Sequence, residues 1–212
     1  MNAEWLARWE KGQTGWHEAG GSSALRKFWP GLAAGSRVLV PLCGKSADLL
    51  WLAGQGYDVT GVELSEIAVR SFFAEAHIPF EFETVGGLLR FRSLQNALTI
   101  FCGDYFQYAD DRHDALYDRA ALVALPAALR PRYVEHTKSL LKAEATQLLI
   151  TLEYDQSGAN GPPFSVLPDE VMAYWPALRR AGDLSALATM PPKFREAGLR
   201  EFVEAVWVSG QV

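Results

Sequence analysis

The sequence predicts an α/β fold, in which strands alternate with helices around a mostly parallel sheet, and three observations support this. The apolar run Val38-Leu39-Val40-Pro41-Leu42 enters a tight loop, Cys43-Gly44-Lys45-Ser46, before a helical stretch and a second strand, Asp58-Val59-Thr60-Gly61-Val62-Glu63. Strand, loop, helix and strand in that order form a βαβ unit. Further short apolar runs return at Ala115–Tyr117 and Gln147–Glu153, with helical spacing between them. A chain of 212 residues, 49% hydrophobic, is long enough to bury a substantial core as one domain, residues 1–212.

Taken in order, Trp5, Leu6 and Trp9 lie on one face of a short helix, which ends at Gly12 and the turn-forming Thr14-Gly15. Trp16 and His17 follow the turn. A second helix is expected from Ser22 to Trp29, stopped by Pro30-Gly31, so residues 1–30 read as an N-terminal cap. Strand one is Arg37–Pro41. The helix from Ser46 repeats apolar residues at Leu49, Leu50, Leu52 and Ala53, and ends at Gly54 and Gly56. Strand two is Asp58–Val62. The next helix begins at Ser65-Glu66, buries Ala68, Phe72 and Ala76, and stops before Pro79, with a third strand near Phe80–Val85. Leu88–Leu94 and Ala97–Cys102 are expected as a hairpin inserted before the fourth core strand, which is Ala115–Tyr117 and leads into Asp118-Arg119. A helix over Pro131–Leu141, a fifth strand at Gln147–Glu153, a Gly- and Pro-rich loop from Tyr154 to Leu167 and a helix near Asp169–Trp175 follow. The ending supplies two more strands, Leu184–Thr189 and Arg200–Val208, as an antiparallel edge pair.

Composition narrows the function. With 20 Lys+Arg against 25 Asp+Glu, the net charge of −5 gives no broad attraction to phosphate backbones or anionic lipid, so neither a nucleic-acid nor a membrane partner is expected. Cys43 and Cys102 lie in or near expected strands without metal-ligand spacing, which fits a reducing, cytoplasmic setting. The N-terminus lacks a basic segment followed by an apolar core, and no stretch approaches 18 continuous apolar residues. The four histidines, His17, His77, His113 and His136, are scattered, so no metal site is expected.

The chemistry starts at Glu63. An acid at the end of strand two, about 20 residues past the first loop, faces the crevice where open α/β sheets bind ligands and can take both hydroxyls of a ribose. The bland alternative is a solvated strand-end carboxylate. The loop has one central glycine and no G-x-G-x-x-G pattern, so a nucleoside without phosphates fits better than a dinucleotide; S-adenosylmethionine is such a nucleoside. Gly44-Lys45-Ser46 imitates the end of a phosphate-binding P-loop, but that motif needs a glycine five residues earlier, where Leu39 stands. Leu42 supplies backbone to the loop, and Cys43 reads as a small buried residue rather than a nucleophile.

Six stretches in sequence order then resemble the thiopurine S-methyltransferase family: Trp5-x-x-x-Trp9, Trp16-His17, Val40-Pro41-Leu42-Cys43-Gly44-Lys45, Gly61-Val62-Glu63-Leu64-Ser65, Tyr117-Asp118-Arg119-Ala120-Ala121-Leu122-Val123-Ala124 and Gly161-Pro162-Pro163-Phe164. The likeness covers nearly the whole chain and is of the bacterial type. It implies a class I methyltransferase (Rossmann-like) fold: a seven-stranded, mostly parallel sheet, helices on both faces and an N-terminal helical lid. It also implies S-adenosylmethionine as methyl donor, with contacts at Trp9, Leu42, Glu63 and Arg119, and a small thiol-like acceptor.

Asp104, after Cys102-Gly103, stands where the superfamily often holds the adenine, and equally where a loop aspartate makes a turn. Arg119, with its permanent charge and planar donor fork, suits the donor's carboxylate or the acceptor's ring nitrogen and thiolate, and is the candidate catalytic residue; a surface ion pair is the bland alternative. Trp5 and Trp16 belong with Trp9 to an aromatic lid near the sulfonium and acceptor. Tyr154 and Phe164 are expected as aromatic walls of the acceptor pocket. Lys193 in Pro192-Lys193-Phe194-Arg195 is expected over the acceptor, where lysine in place of arginine would change the geometry. The implied reaction is methyl transfer to the sulfur of a small aromatic or heterocyclic thiol, or to related selenium or tellurium species, by a monomer. The competing classes are a dinucleotide-dependent oxidoreductase on the same βαβ unit and a donor-binding protein without turnover.

Overall fold

The computed structural model describes residues 2–14, 18–110 and 112–209. In chain order its helices are α1 (Asn2–Glu10), α2 (Ser23–Phe28), α3 (Asp48–Gly54), α4 (Glu66–Glu75), α5 (Ala121–Ala124), α6 (Arg130–Ser139), α7 (Pro168–Tyr174) and α8 (Pro192–Glu196). Its strands are β1 (Arg37–Pro41), β2 (Asp58–Glu63), β3 (Phe80–Val85), β4 (Leu88–Ser93), β5 (Leu98–Cys102), β6 (His113–Asp118), β7 (Leu141–Glu153), β8 (Leu178–Ser185) and β9 (Val203–Ser209). That makes nine strands of mixed direction among the described residues, where seven were expected. The chain divides into two compact units, Met1–Ser22 with Leu32–Ala115, and Ser23–Gly31 with Leu116–Val212.

In the first unit the strands run β3-β4-β5-β2-β1. β2 pairs in parallel with β1 on one side and β5 on the other, so Gly61 stands opposite both Val40 and Ile100. Such strands are covered on both faces, which explains why β1 reads as a continuous apolar run and why β2 is buried from Val59 to Glu63 although its sequence mixes polar and apolar residues. The expected hairpin exists, since β4 and β5 are antiparallel, but its assignment needs correcting. β5 is itself a core strand beside β2, and the inserted hairpin is β3 with β4, turning at Gly86-Gly87. Every β3 residue after Phe80 is exposed, with Phe82 at 53%. On β3, Glu81 and Glu83 pair with Arg92 and Arg90 of β4, while the Arg70 guanidinium sits 4.9 Å from the Phe82 ring. α4 starts because the Ser65 hydroxyl accepts the Ala68 N–H at 3.3 Å, and it buries Ala68, Val69, Phe72 and Phe73.

His113 is one of the core residues of this unit. It is fully buried and shares a 3.1 Å hydrogen bond with the Tyr108 hydroxyl, which donates to Asp110. Arg37 Nη2 also donates to Asp110, at 2.9 Å. Burial, and then the Arg37 charge, lowers the His113 pKa to about 4.

In the second unit β7, β9 and β8 form an antiparallel set in that order, which matches the expected edge pair in kind. β8 begins earlier than expected, at Leu178, because Arg179 and Arg180 hide it as a polar stretch. Arg180 belongs there physically: it donates to both oxygens of Glu153 at 2.8 and 3.1 Å and lies 5.5 Å from the Trp207 ring. α8, with Pro192 in its first turn, was not anticipated. α2 packs on β7 and β9, with Ala24 and Leu25 fully buried, and Phe28 lies so close to Gly182 that a Cβ there would come within 2.7 Å of the ring. Of the segment read as a cap, residues up to 22 fall in the first unit and the rest in the second. No helix among the described residues is long and apolar enough to cross a membrane.

Candidate active site

The β1–α3 loop of the first unit is built around a reversal of backbone hand. Leu42 has φ +48° and Gly44 φ +55°; the first is uncommon for a side chain with a Cβ and marks a conformation maintained by its surroundings. The Cys43 N–H donates to the Val62 carbonyl at 3.1 Å, and Glu63 completes the clamp. Its Oε2 accepts the Gly44 N–H and its Oε1 the Ser65 N–H, both at 2.8 Å. Glu63 therefore ties the loop after β1 to the loop after β2. It is only 7% exposed; burial pushes its carboxyl up, and the N–H groups of Ser65, Gly44 and Leu64 pull it back. A carboxylate has about four lone-pair directions, so these bonds leave capacity for a diol.

Trp9 of α1 lies directly on this loop. A Cβ at Gly44 would stand 3.3 Å from Trp9 Cζ2, so the ring rests on a position that only glycine leaves open. Trp5 is half-buried, with the Arg8 guanidinium 5.2 Å from its ring. Trp16 lies outside the described residues. Lys45 reaches Glu75 of α4 at 2.6 Å, an ion pair rather than a phosphate contact.

On the other side of β2, the Gly103 N–H donates to the Glu63 carbonyl at 2.9 Å, which places Asp104 next to the same strand end. Asp104 Oδ1 accepts the Phe106 N–H at 3.0 Å and so caps a short 3-10 turn, Tyr105–Gln107. The turn-forming alternative is thus realised, on one of its two oxygens. Cys43 and Cys102 are buried thiols, the first packed over Gly61. Burial pushes both up, Cys102 to about 12, so neither is made to ionise as a nucleophile. The first unit thus gathers Trp9, Leu42, Glu63 and Asp104 around one strand end.

In the second unit β6 ends at Asp118-Arg119. Arg119 Nη2 stands 3.6 Å from Glu204 Oε1 of β9, with both side chains mostly covered. Asp118 is fully buried. Its Oδ1 accepts the Ala121 and Leu122 N–H groups at 3.0 and 3.3 Å, and its Oδ2 accepts the Tyr133 hydroxyl at 2.6 Å. Burial raises its pKa to about 6.

The loop after β7 is secured at nearly every residue. The Phe164 N–H donates to the Val123 carbonyl at 2.6 Å, the Tyr154 hydroxyl to the Pro163 carbonyl at 2.7 Å, and Arg130 Nη2 to the Ser165 carbonyl at 3.2 Å. The Phe164 ring folds over Gly161, where a Cβ would come within 2.3 Å of it. Phe164 is half-buried. Tyr154 is 7% exposed and packs with Phe194 and Phe202 in a small core, its pKa pushed up to about 12 by burial; its ring is therefore a support behind the loop. Lys193 donates to the Asn160 and Pro162 carbonyls at 2.9 and 2.6 Å, which engages its ammonium in holding the same loop.

Two residues that organise this unit were missed from sequence. Arg130 opens α6, donates its Nε to the Leu125 carbonyl and its Nη1 to Glu170, and is 3% exposed. A signal existed: a cation at a helix N-terminus opposes the helix dipole and needs another reason to be there. Tyr133, three residues on, shares its helical face.

A model of the family described as thiopurine S-methyltransferase matches residues 1–211. A thiopurine S-methyltransferase of Bordetella petrii is 46% identical over 98% of this chain and 97% of its own, and one of Pseudomonas syringae pv. tomato is 45% identical over 98% and 97%. Among solved structures, the Burkholderia thailandensis 1,6-didemethyltoxoflavin-N1-methyltransferase with bound S-adenosylhomocysteine aligns at TM-score 0.65 and 15% identity, covering 99% of this chain and 87% of that one. The glycopeptide N-methyltransferase MtfA complexed with S-adenosylmethionine aligns at 0.57 and 16%, covering 90% and 88%. Likeness at that identity establishes the class I methyltransferase fold.

Proposed function

Because this chain belongs to the thiopurine S-methyltransferase family, we propose that it transfers the methyl group of S-adenosylmethionine to the sulfur of a small aromatic or heterocyclic thiol, thiopurines included. Softer nucleophiles of selenium or tellurium would meet the same requirements. The observation that supports the donor most directly is the Glu63 clamp, in which one carboxylate secures both loops by single bonds from Gly44 and Ser65 and keeps acceptor capacity for a ribose diol. These residues fit the nucleoside and lack the glycine pattern a dinucleotide would need.

When bound, S-adenosylmethionine supplies an electrophilic methyl carbon on a sulfonium. Glu63 would hold the ribose, Asp104 would accept from the adenine amine with its second oxygen, the Leu42-Cys43-Gly44 backbone would line the amino-acid end, and Trp9 would place an aromatic face beside the cation. Such a contact is worth about 0.5–2 kcal/mol. In the second unit, Arg119 would orient anionic groups with its planar fork and Phe164 would bound the acceptor. The chain's own task is alignment and exclusion of water rather than covalent catalysis, and proximity with orientation can lower such a barrier by roughly 7–11 kcal/mol.

The test is a transfer assay with isotopically labelled donor across aromatic thiols, aliphatic thiols, selenium and tellurium oxyanions and a nucleic-acid control. Label on an aromatic thiol is the expected result. Binding of S-adenosylhomocysteine with no transfer to any thiol would overturn the acceptor assignment.

A further inference from the structure

We propose that Asp118 is a positioning residue for methyl transfer: its buried carboxylate, acting through α5, sets Arg119 in register with the acceptor wall at Phe164. The inference rests on the acceptor roles proposed above for those two residues, and goes beyond them by naming what holds them in relation to each other.

The geometry is a closed bracket within the second unit. Ala120 at the start of α5 offers no side-chain cap, so the helix's first N–H groups turn to the carboxylate of Asp118 instead. Arg119 and Ala120 are the two residues enclosed between that carboxylate and the Ala121 N–H it accepts. The Arg119 backbone is thereby fixed by its neighbour's side chain. At the other end of the same four-residue helix, the Val123 carbonyl accepts the Phe164 N–H at 2.6 Å. One residue beyond α5, the Leu125 carbonyl accepts Arg130 Nε at 3.0 Å, and the same guanidinium donates to the Ser165 carbonyl. Arg119 and Phe164 are therefore attached to opposite ends of one short rigid element. Its orientation depends on where Asp118 sits.

Asp118 in turn is located by Tyr133 from α6, whose hydroxyl donates to Oδ2 at 2.6 Å. A fully buried carboxylate is a costly way to cap four residues, since an asparagine or serine would satisfy an N–H with less desolvation. What a carboxylate adds is a second strong acceptor, which lets one side chain join the helix start to α6. Tyr133 is also fully buried, so the joint has no freedom to swing.

The test uses Tyr133→Phe and Asp118→Asn in the full chain. Tyr133→Phe deletes only the bond to Oδ2; Asp118→Asn keeps an oxygen for the helix N–H groups and alters the joint to Tyr133. Each variant is expected to lower kcat/KM for an aromatic thiol by at least about tenfold, and to weaken S-adenosylhomocysteine binding by a clearly smaller factor than it lowers kcat/KM. A cycle with Arg119→Lys supplies the readout that a merely structural role would not move. If Asp118 acts through Arg119, Tyr133→Phe costs little more once Arg119 is already lysine. Additive losses in that cycle, unchanged kcat/KM in Tyr133→Phe, or a loss that only tracks the fraction unfolded would each overturn the proposal. Should Asp118→Asn fail to fold, the near-isosteric Tyr133→Phe carries the test alone. A parent protein that transfers to no thiol would instead defeat the acceptor reading on which the proposal stands.

Discussion

Replacing Glu63 with glutamine tests the donor site by the smallest possible change. The carboxylate gives one oxygen to the Gly44 N–H and one to the Ser65 N–H, each at 2.8 Å. A glutamine amide has only one oxygen, so whichever way it turns, one of those buried N–H groups faces an NH₂ instead. A hydrogen bond to a charged group contributes about 1.5–3 kcal/mol. At roughly 2–4 °C per kcal/mol for a chain of this length, the variant should melt about 3–12 °C below the parent. The same amide can no longer accept from both hydroxyls of a ribose. S-adenosylhomocysteine should therefore bind Glu63→Gln about 10- to 100-fold more weakly, equivalent to about 1.4–2.8 kcal/mol. Thermal melting with and without the nucleoside, together with titration calorimetry, reads both quantities. A variant with the parent's melting temperature and affinity would show that Glu63 neither holds the β1 loop nor meets the donor.

Three further outcomes are expected. His113, lowered to about 4 by burial and Arg37, stabilises the fold fully above its unfolded value near 6.5, and that contribution disappears as pH falls through 4; about 3 kcal/mol is at stake. His113→Gln should flatten stability against pH across that window, and an unchanged slope would place the acid sensitivity elsewhere. Gly103 has φ +149° and a Cβ there would lie 2.3 Å from Leu88 Cδ2, so Gly103→Ala should destabilise by about 1–3 kcal/mol; adding Leu88→Ala should cost less than the sum of the two single changes, and strict additivity would refute the clash. Arg119→Lys should keep a melting temperature close to the parent while slowing transfer to an aromatic thiol at least about tenfold, or about 1.4 kcal/mol of barrier; parental rates at subsaturating acceptor would deny the planar fork a role.

The parts most legible in the sequence are those governed by local periodicity. β1 has the predicted limits, and Ser65-Glu66 marks the start of α4 as a hydroxyl cap should. Glu63 was legible as a residue, though not as the clamp between two loops, because which N–H groups meet a carboxylate depends on how β1 and β2 are paired. Register explains the hairpin error too: Phe80–Val85, Leu88–Ser93 and Leu98–Cys102 carry similar alternation, and nothing local shows that β5 joins β2. Tyr154 and Lys193 carry chemistry suited to an acceptor pocket, yet the first packs in a core and the second donates to loop carbonyls. Both outcomes were set by long-range contacts. Asp118 lay inside a recognised motif, but its burial belongs to α6 as much as to β6.

The exposed hairpin has a consequence for how this molecule behaves among copies of itself. β3 ends the strand order, so one row of its backbone N–H and C=O groups lies at an open edge, beside a half-exposed phenylalanine at position 82. Such an edge invites another strand to add to it. An antiparallel match of two β3 strands centred on Phe82 would set Glu81 of one copy against Glu83 of the other, twice over, in a row whose like charges destabilise directly opposite pairs. Arg90 and Arg92 pair with those glutamates within one chain from the β4 side, away from the open edge, and so weaken that repulsion. The outermost strand still carries its own deterrent: the two glutamates that make it look like an ordinary solvated surface would oppose each other if a second copy added there.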